Sequence, residues 1–190
     1  TVSLDYLLTF QNDPGAHVID FVDLGLPNDT FNFDGISADV DGRLAQISTD
    51  FQGSGSGVAV ALGAGAIQPG QSGTVHVNIA QVRSVLYPDS SDDQYASAVF
   101  APAQFTNAVG STNLTVVFHL PPGVKPEEPR WHGAPDGFPS EPTTGLDADG
   151  RIVYQWRNPQ ARGDTQYVFG ASFPSTYVQL EAVVRPSVTQ

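Results

Sequence analysis

Thr74-Val75-His76-Val77-Asn78-Ile79-Ala80-Gln81-Val82 decides the fold class. Val75, Val77 and Ile79 fall on one side of an extended chain, and His76 and Asn78 on the other. Alternate side chains of a strand point to opposite faces, so this stretch reads as a β-strand with one face buried. The same pattern recurs outward in both directions. Strands are expected over residues 2–10, 17–26, 36–40, 44–51, 58–62, 96–105, 113–120, 151–156, 166–173 and 177–184. Between them lie strong turn signals, such as Asn12-Asp13-Pro14-Gly15 and Pro121-Pro122-Gly123. Asp-Gly pairs at 41–42 and 149–150 mark hairpin tips. No segment sustains a 3.6-residue apolar period with caps, so helix should be minor.

These signals predict an all-β protein built as an antiparallel β-sandwich. Two tandem small sandwiches, 1–107 and 108–190, are one organisation; a single elaborate sandwich over 1–185 is the other. A weak internal echo fits the tandem without deciding for it. Asp39-Val40-Asp41-Gly42-Arg43-Leu44 matches Asp147-Ala148-Asp149-Gly150-Arg151-Ile152. Gln68-Pro69-Gly70-Gln71 before one strand is echoed by Pro159-Gln160-Ala161-Arg162-Gly163 before another. A D-x-D-G hairpin also arises from turn chemistry alone, without duplication.

Composition narrows the function classes. Hydrophobic residues make up 40 % of the 190 and charged residues only 15 %, enough to bury a core and too little charge for disorder. There is no Cys, hence no disulfide, thiolate metal site or Cys nucleophile. A small secreted domain without disulfides points to a bacterial or archaeal source. Twenty acidic against eight basic residues give a net charge of −12. That charge repels phosphate backbones, so nucleic acid is not an expected partner. The chain begins at Thr1 and holds no 18-residue apolar run, so it reads as a processed piece whose signal and anchor lie outside it.

Few residues offer chemistry. His17, His76, His119 and His132 show no metal-site spacing. Gly53-Ser54-Gly55-Ser56-Gly57 lacks the strand-to-helix setting of a nucleophile elbow and reads as a linker. No catalytic residue is identified. Asp89, Asp92 and Asp93 put three carboxylates on one short loop, the best place a weak Ca²⁺ site could form; no cofactor is otherwise expected. The Pro-rich stretch 121–145 is long for a loop without regular structure, and such loops carry function. It holds Trp131, His132 and Phe138, with Tyr154 and Trp156 on the strand that follows. Those five are the candidate binding residues, because exposed aromatics stack on sugar rings and form interface hot spots. The bland alternative is that Trp131 and Phe138 fold back over an open sheet edge.

Three features together resemble the extracellular part of a family of predicted bacterial and archaeal membrane proteins of uncharacterised function. They are strands leading into Leu-Pro (Leu26-Pro27 and Leu120-Pro121), a D-x-D-G-R hairpin, and a late strand closing in Phe173-Pro174. The resemblance implies β-sandwiches before a membrane anchor and supplies no catalytic residues. The expectation is therefore a non-catalytic extracellular or cell-surface module, acting as spacer, adhesion or ligand-binding domain of a larger envelope protein. Its partner would be a protein or glycan at the cell surface, with membrane contact only through an anchor outside this chain. The alternative is a carbohydrate-active domain of a secreted enzyme, binding or hydrolysing glycans.

Overall fold

The alternating stretches become strands. The computed structural model describes residues 1–180; it is all-β, with 47 % of the chain in strand. Two compact units divide it, Thr1–Val85 and Leu86–Gln190.

The first unit contains β1 (Val2–Gln11), β2 (Phe21–Gly25), β3 (Ile36–Val40), β4 (Arg43–Leu44), β5 (Gln46–Ser48), β6 (Gly57–Ala61) and β7 (Ser72–Val82). They form two antiparallel sheets, ordered β1-β7-β3-β4 and β2-β6-β5. Val75, Val77 and Ile79 of β7 are fully buried. Val77 lies opposite Tyr6 on one side and Ala38 on the other, and Val75 lies opposite Val40. The second sheet buries Val22 against Val60 and Leu24 against Val58. Each such aliphatic side chain stabilises the fold by about 1.5–3 kcal/mol, which fixes the register: a one-residue slip would turn the whole row outward. Asp41 and Gly42 form the two-residue tip between β3 and β4, with φ of 49° and 81°. Those positive angles are what a primed hairpin turn demands, and Asp-Gly supplies them. The strand expected over 44–51 is broken, because the chain passes at Ala45 from the β3 edge to the β6 edge.

The second unit contains β8 (Leu86–Pro88), β9 (Tyr95–Phe100), β10 (Ser111–His119), β11 (Arg130–Trp131), β12 (Thr143–Leu146), β13 (Ile152–Arg162) and β14 (Phe169–Pro174). Its antiparallel sheets run β11-β14-β9-β8 and β10-β13-β12. One core draws on both: Val116, Ile152, Tyr154 and Trp156 from one sheet, Ala96, Phe169, Ala171 and Phe173 from the other. The Trp156 and Phe169 rings lie 5.4 Å apart. Two antiparallel sheets sharing a core are consistent with a β-sandwich.

The two units repeat one topology. β1, β2, β3, β5, β6 and β7 correspond in order to β9, β10, β11, β12, β13 and β14: each set pairs first-sixth-third in one sheet and second-fifth-fourth in the other. β4 and β8 are edge additions. The Leu-Pro steps fall at equivalent places. Leu26 and Leu120 follow β2 and β10, both are buried, and their N–H groups donate to the carbonyls of Ser56 and Ile152, at the start of β6 and β13. The D-x-D-G echo does not mark the repeat. Its first copy joins β3 to β4, its second joins β12 to β13, and these are different turns of the shared topology.

The boundary lies at Val85/Leu86 rather than near 107, because β9 pairs with β14 along its whole length and carries β8 with it. The strand expected over 177–184 begins instead with a short 3₁₀ turn, Ser175–Tyr177, and its residues 181–184 lie outside the described residues.

Candidate functional site

One cross-strand row defines the outer face of the β11-β14-β9-β8 sheet. Arg130 lies opposite Ser172, Ser172 opposite Ser97, and Ser97 opposite Tyr87. Directly opposed residues share a face. Phe169, Ala171 and Phe173 alternate with Gly170 and Ser172 on β14 and point the other way, into the core. The small residues on the two central strands make a floor, and larger side chains on the flanking strands make walls. The result is an open depression of about 510 Å³ lined by Tyr87, Asp89, Ser91, Trp131, His132 and Ser172, among others.

The floor is a closed hydrogen-bond node. Oδ2 of Asp89 accepts the hydroxyls of Ser97 (2.5 Å) and Ser172 (2.6 Å). Oδ1 accepts the Ser91 N–H and hydroxyl and the Asp92 N–H. These donors, the Ser172 hydroxyl foremost, hold the Asp89 carboxyl well below the usual carboxylate range. His132 continues the edge pairing through its N–H to the Gly170 carbonyl, and Nε2 lies 2.8 Å from Ser172 Oγ. The His132 ring lies over Gly170, where a Cβ would overlap Nδ1 and stand 2.9 Å from Cε1 and Cγ. Only a glycine leaves room for the imidazole to cover the floor.

Serine, histidine and aspartate meet here in the wrong order for nucleophilic catalysis. In a triad the histidine stands between the other two and takes the serine proton. Here Ser172 stands between His132 and Asp89. The ionised Asp89 cannot donate, so the Ser172 hydroxyl donates its hydrogen bond to Asp89 Oδ2, and Nε2 of His132 lies against the same hydroxyl oxygen. Ser172 is also buried, 3 % exposed. The node fixes side chains in place.

The residues singled out in the sequence separate into three groups. His132 does reach the depression, alongside Asp89; Trp131 only borders it, because it lies opposite the core residue Ala171 and its side chain turns to the inward face, folded back over the sheet edge. Trp131 is 40 % exposed, and its ring meets the buried Tyr154 edge to face at 5.7 Å. Phe138, Tyr154 and Trp156 do not join them. Trp156 is fully buried and Tyr154 nearly so, because they alternate with Val153 and Gln155 on β13 and share the inward phase of Ile152. Phe138 folds back on the core, its ring 4.9 Å from Phe169 and 5.2 Å from Tyr167. Asp89, Asp92 and Asp93 do not converge as a Ca²⁺ site: the Asp89 oxygens are taken up by the node, and Asp92 pairs with Arg130 at 3.2 Å. Among the described residues no three His, Cys, Asp or Glu side chains are placed to hold a metal ion. Ser97, Ser172, Tyr87 and Arg130 are the residues that sequence reasoning missed. Their one signal was two serines set in small, apolar strand segments, Ala96-Ser97-Ala98 and Ala171-Ser172-Phe173.

Arg130 carries the positive charge of the wall. Its guanidinium stacks 4.0 Å over Tyr95 while bridging to Asp92. In the first unit, a depression of about 380 Å³ lies beside Phe33, Ile36, Leu44 and Ile47, with Asp34 as its titratable lining side chain. That arrangement offers no reactive pair. Among the described residues no helix is long and apolar enough to cross a membrane. The chain matches no protein-family model, no curated protein and no solved structure.

Proposed function

We propose that this chain is a non-catalytic extracellular module of a cell-surface protein, with paired immunoglobulin-like units of which the second binds a ligand. The observation that carries the reading is the depression itself: a half-exposed Tyr87 and Arg130 beside a floor already locked by Asp89, Ser97, Ser172 and His132. A locked floor loses little entropy when a ligand docks, which is how binding sites gain affinity. Hydrolysis of glycans is disfavoured by the state of the acids. A glycosidase holds one carboxyl up as a proton donor, whereas Asp89 is held down and Asp92 is engaged by Arg130. The strongly acidic surface, −12 overall, suits an exposed envelope protein.

Tyr87→Ala tests the site. The side chain is 49 % exposed on a three-residue edge strand, so its removal should lower stability by about 1–2 kcal/mol. It should weaken any ligand detected on glycan or peptide arrays by at least about tenfold, as a hot spot does. A fluorophosphonate probe should leave Ser172 unlabelled. Labelling of Ser172, or turnover of an arrayed glycan lost in Asp89→Asn, would replace the binding reading with an enzymatic one.

A further inference from the structure

We infer that two copies of this chain pair through the free edge of β1, antiparallel about Leu7, into one continuous sheet. The first unit leaves bare an edge that the second unit covers. β9, the counterpart of β1 in the repeated topology, carries β8 on the side away from β14. Among the described residues β1 pairs with β7 alone. It runs for ten residues without proline or lysine, and Asp5 is its one charged residue. A long, uncharged, unpaired edge is a template for a further strand.

The backbone sets the register. Asn12, which continues β1, donates its N–H to the Gln71 carbonyl of the β7 side. Alternate residues of an antiparallel strand turn their N–H and C=O groups to opposite sides. The even-numbered residues of β1 therefore bond to β7, and Ser3, Asp5, Leu7, Thr9 and Gln11 hold their groups toward the open edge. A two-fold axis through Leu7 sets Leu7 against Leu7, Asp5 against Thr9 and Ser3 against Gln11, so each group at the edge meets its complement. The side chains agree with that centre. Leu7 is 71 % exposed, and its own copy covers it with apolar surface. Asp5 meets a threonine. An axis through Asp5 would oppose two carboxylates, which destabilises a strand pair. An axis through Tyr6 would set each Leu7 against an Asp5, and one through Leu8 shortens the paired stretch. The outward side chains beside Leu7 are already tied to β7: Asp5 to His76 at 2.7 Å, Thr9 to Thr74 at 2.9 Å, and Gln11 to Ser72. Such side chains lose little freedom when a partner docks.

The test uses the whole chain, which has no cysteine, so a single introduced one reads the register. Across the axis the two Leu7 Cα atoms stand about 5.5 Å apart, inside the disulfide span of about 4.4–6.8 Å. Leu7→Cys should oxidise to a covalent dimer. Thr9→Cys should not, because its copies lie four residues apart along the strands, more than about 13 Å. Sedimentation velocity of the unaltered chain should show a monomer–dimer equilibrium. Two copies of charge −12 repel each other, so the dissociation constant should fall at least about threefold between 50 and 500 mM NaCl. Leu7→Lys should abolish the dimer while the melting temperature stays within about 4 °C. A monomer at about 1 mM protein, or a dimer that survives Leu7→Lys, overturns the inference. So does cross-linking of Thr9→Cys as fast as Leu7→Cys, or of neither.

Discussion

The two units share a strand pairing, and on the outer face of the same sheet each carries a histidine among carboxylates and hydroxyls; one unit makes a flat charged cluster of them and the other a recess. In the first, His76 on β7 stands between Asp5 on β1 (2.7 Å) and Asp39 on β3 (3.3 Å), with Asn78 and Thr74 beside it on the same strand. In the second, the central strand β14 offers Gly170 and Ser172 at the outward positions, and His132 reaches across them from the edge. Side-chain size on the central strand is the difference. Thr, His and Asn raise the surface of β7; Gly and Ser lower that of β14. Topology places the face, and the outward residues of one strand decide whether it is flat or recessed.

The largest expected effect breaks the second unit and spares the first. Trp156 is fully buried among Phe118, Tyr154 and Phe169. Trp156→Ala should cost about 3–5 kcal/mol through the cavity it leaves. In calorimetry of the whole chain, the transition of the second unit should move down or vanish while that of the first stays in place. A single transition that shifts as a whole would mean that the units do not melt separately.

The next effect compares the two polar clusters directly. Asp89→Ala removes the acceptor of five hydrogen bonds and leaves the buried Ser97 and Ser172 hydroxyls to each other and His132. It should cost about 2–3 kcal/mol. Asp39→Ala removes one hairpin contact, the Gly42 N–H, and one exposed ion pair, and should cost less than about 1 kcal/mol. Equal losses in urea denaturation would show that the recess is no more rigid than the flat cluster.

That contrast also explains what was legible in the sequence. Alternation over β7 and the Asp41-Gly42 tip were readable because each is a local rule, period two and positive φ. Trp156 was readable as well: Ile152, Tyr154 and Trp156 keep a strict period of two, so placing Tyr154 and Trp156 with the solvent-facing loop set position in the chain above strand phase. The unit boundary was hidden because β9 finds its partner β14 some seventy residues away, and no local signal announces a long-range pairing. The meaning of Asp89 was hidden for the same reason. A loop aspartate beside Asp92 and Asp93 looks like a cation ligand until Ser97 and Ser172, from two other strands, occupy its oxygens. Trp131 was found as an aromatic in a polar stretch, but its place on a paired edge strand depended on β14.

The smallest effect separates the units by pH. The hydrogen bond to Asp5, reinforced by its charge and by Asp39, raises the pKa of His76 above 6.5. A raised histidine pKa means that the folded state holds the proton more tightly than the unfolded chain. Its contribution is therefore fully present below about pH 6.5 and disappears as pH climbs through the raised value. The groups facing the imidazole are Asp5 and Asp39, with Asn78 bonded to the same Asp5 oxygen. His76 is 40 % exposed and Asp5 62 %, so solvent screens the pair and the gain stays below about 1 kcal/mol. The first unit should melt a few degrees higher at pH 5.5 than at pH 8.5, by about 4–8 °C at most. The difference should shrink in 0.5 M NaCl and be absent in His76→Gln. The second unit answers at the other end of the scale. Its depressed Asp89 contributes above the unfolded carboxylate pKa of about 4 and loses that contribution as pH falls below it. An NMR titration placing the His76 pKa at or below 6.5 would remove the first unit's acid-side gain and with it the opposition between the two.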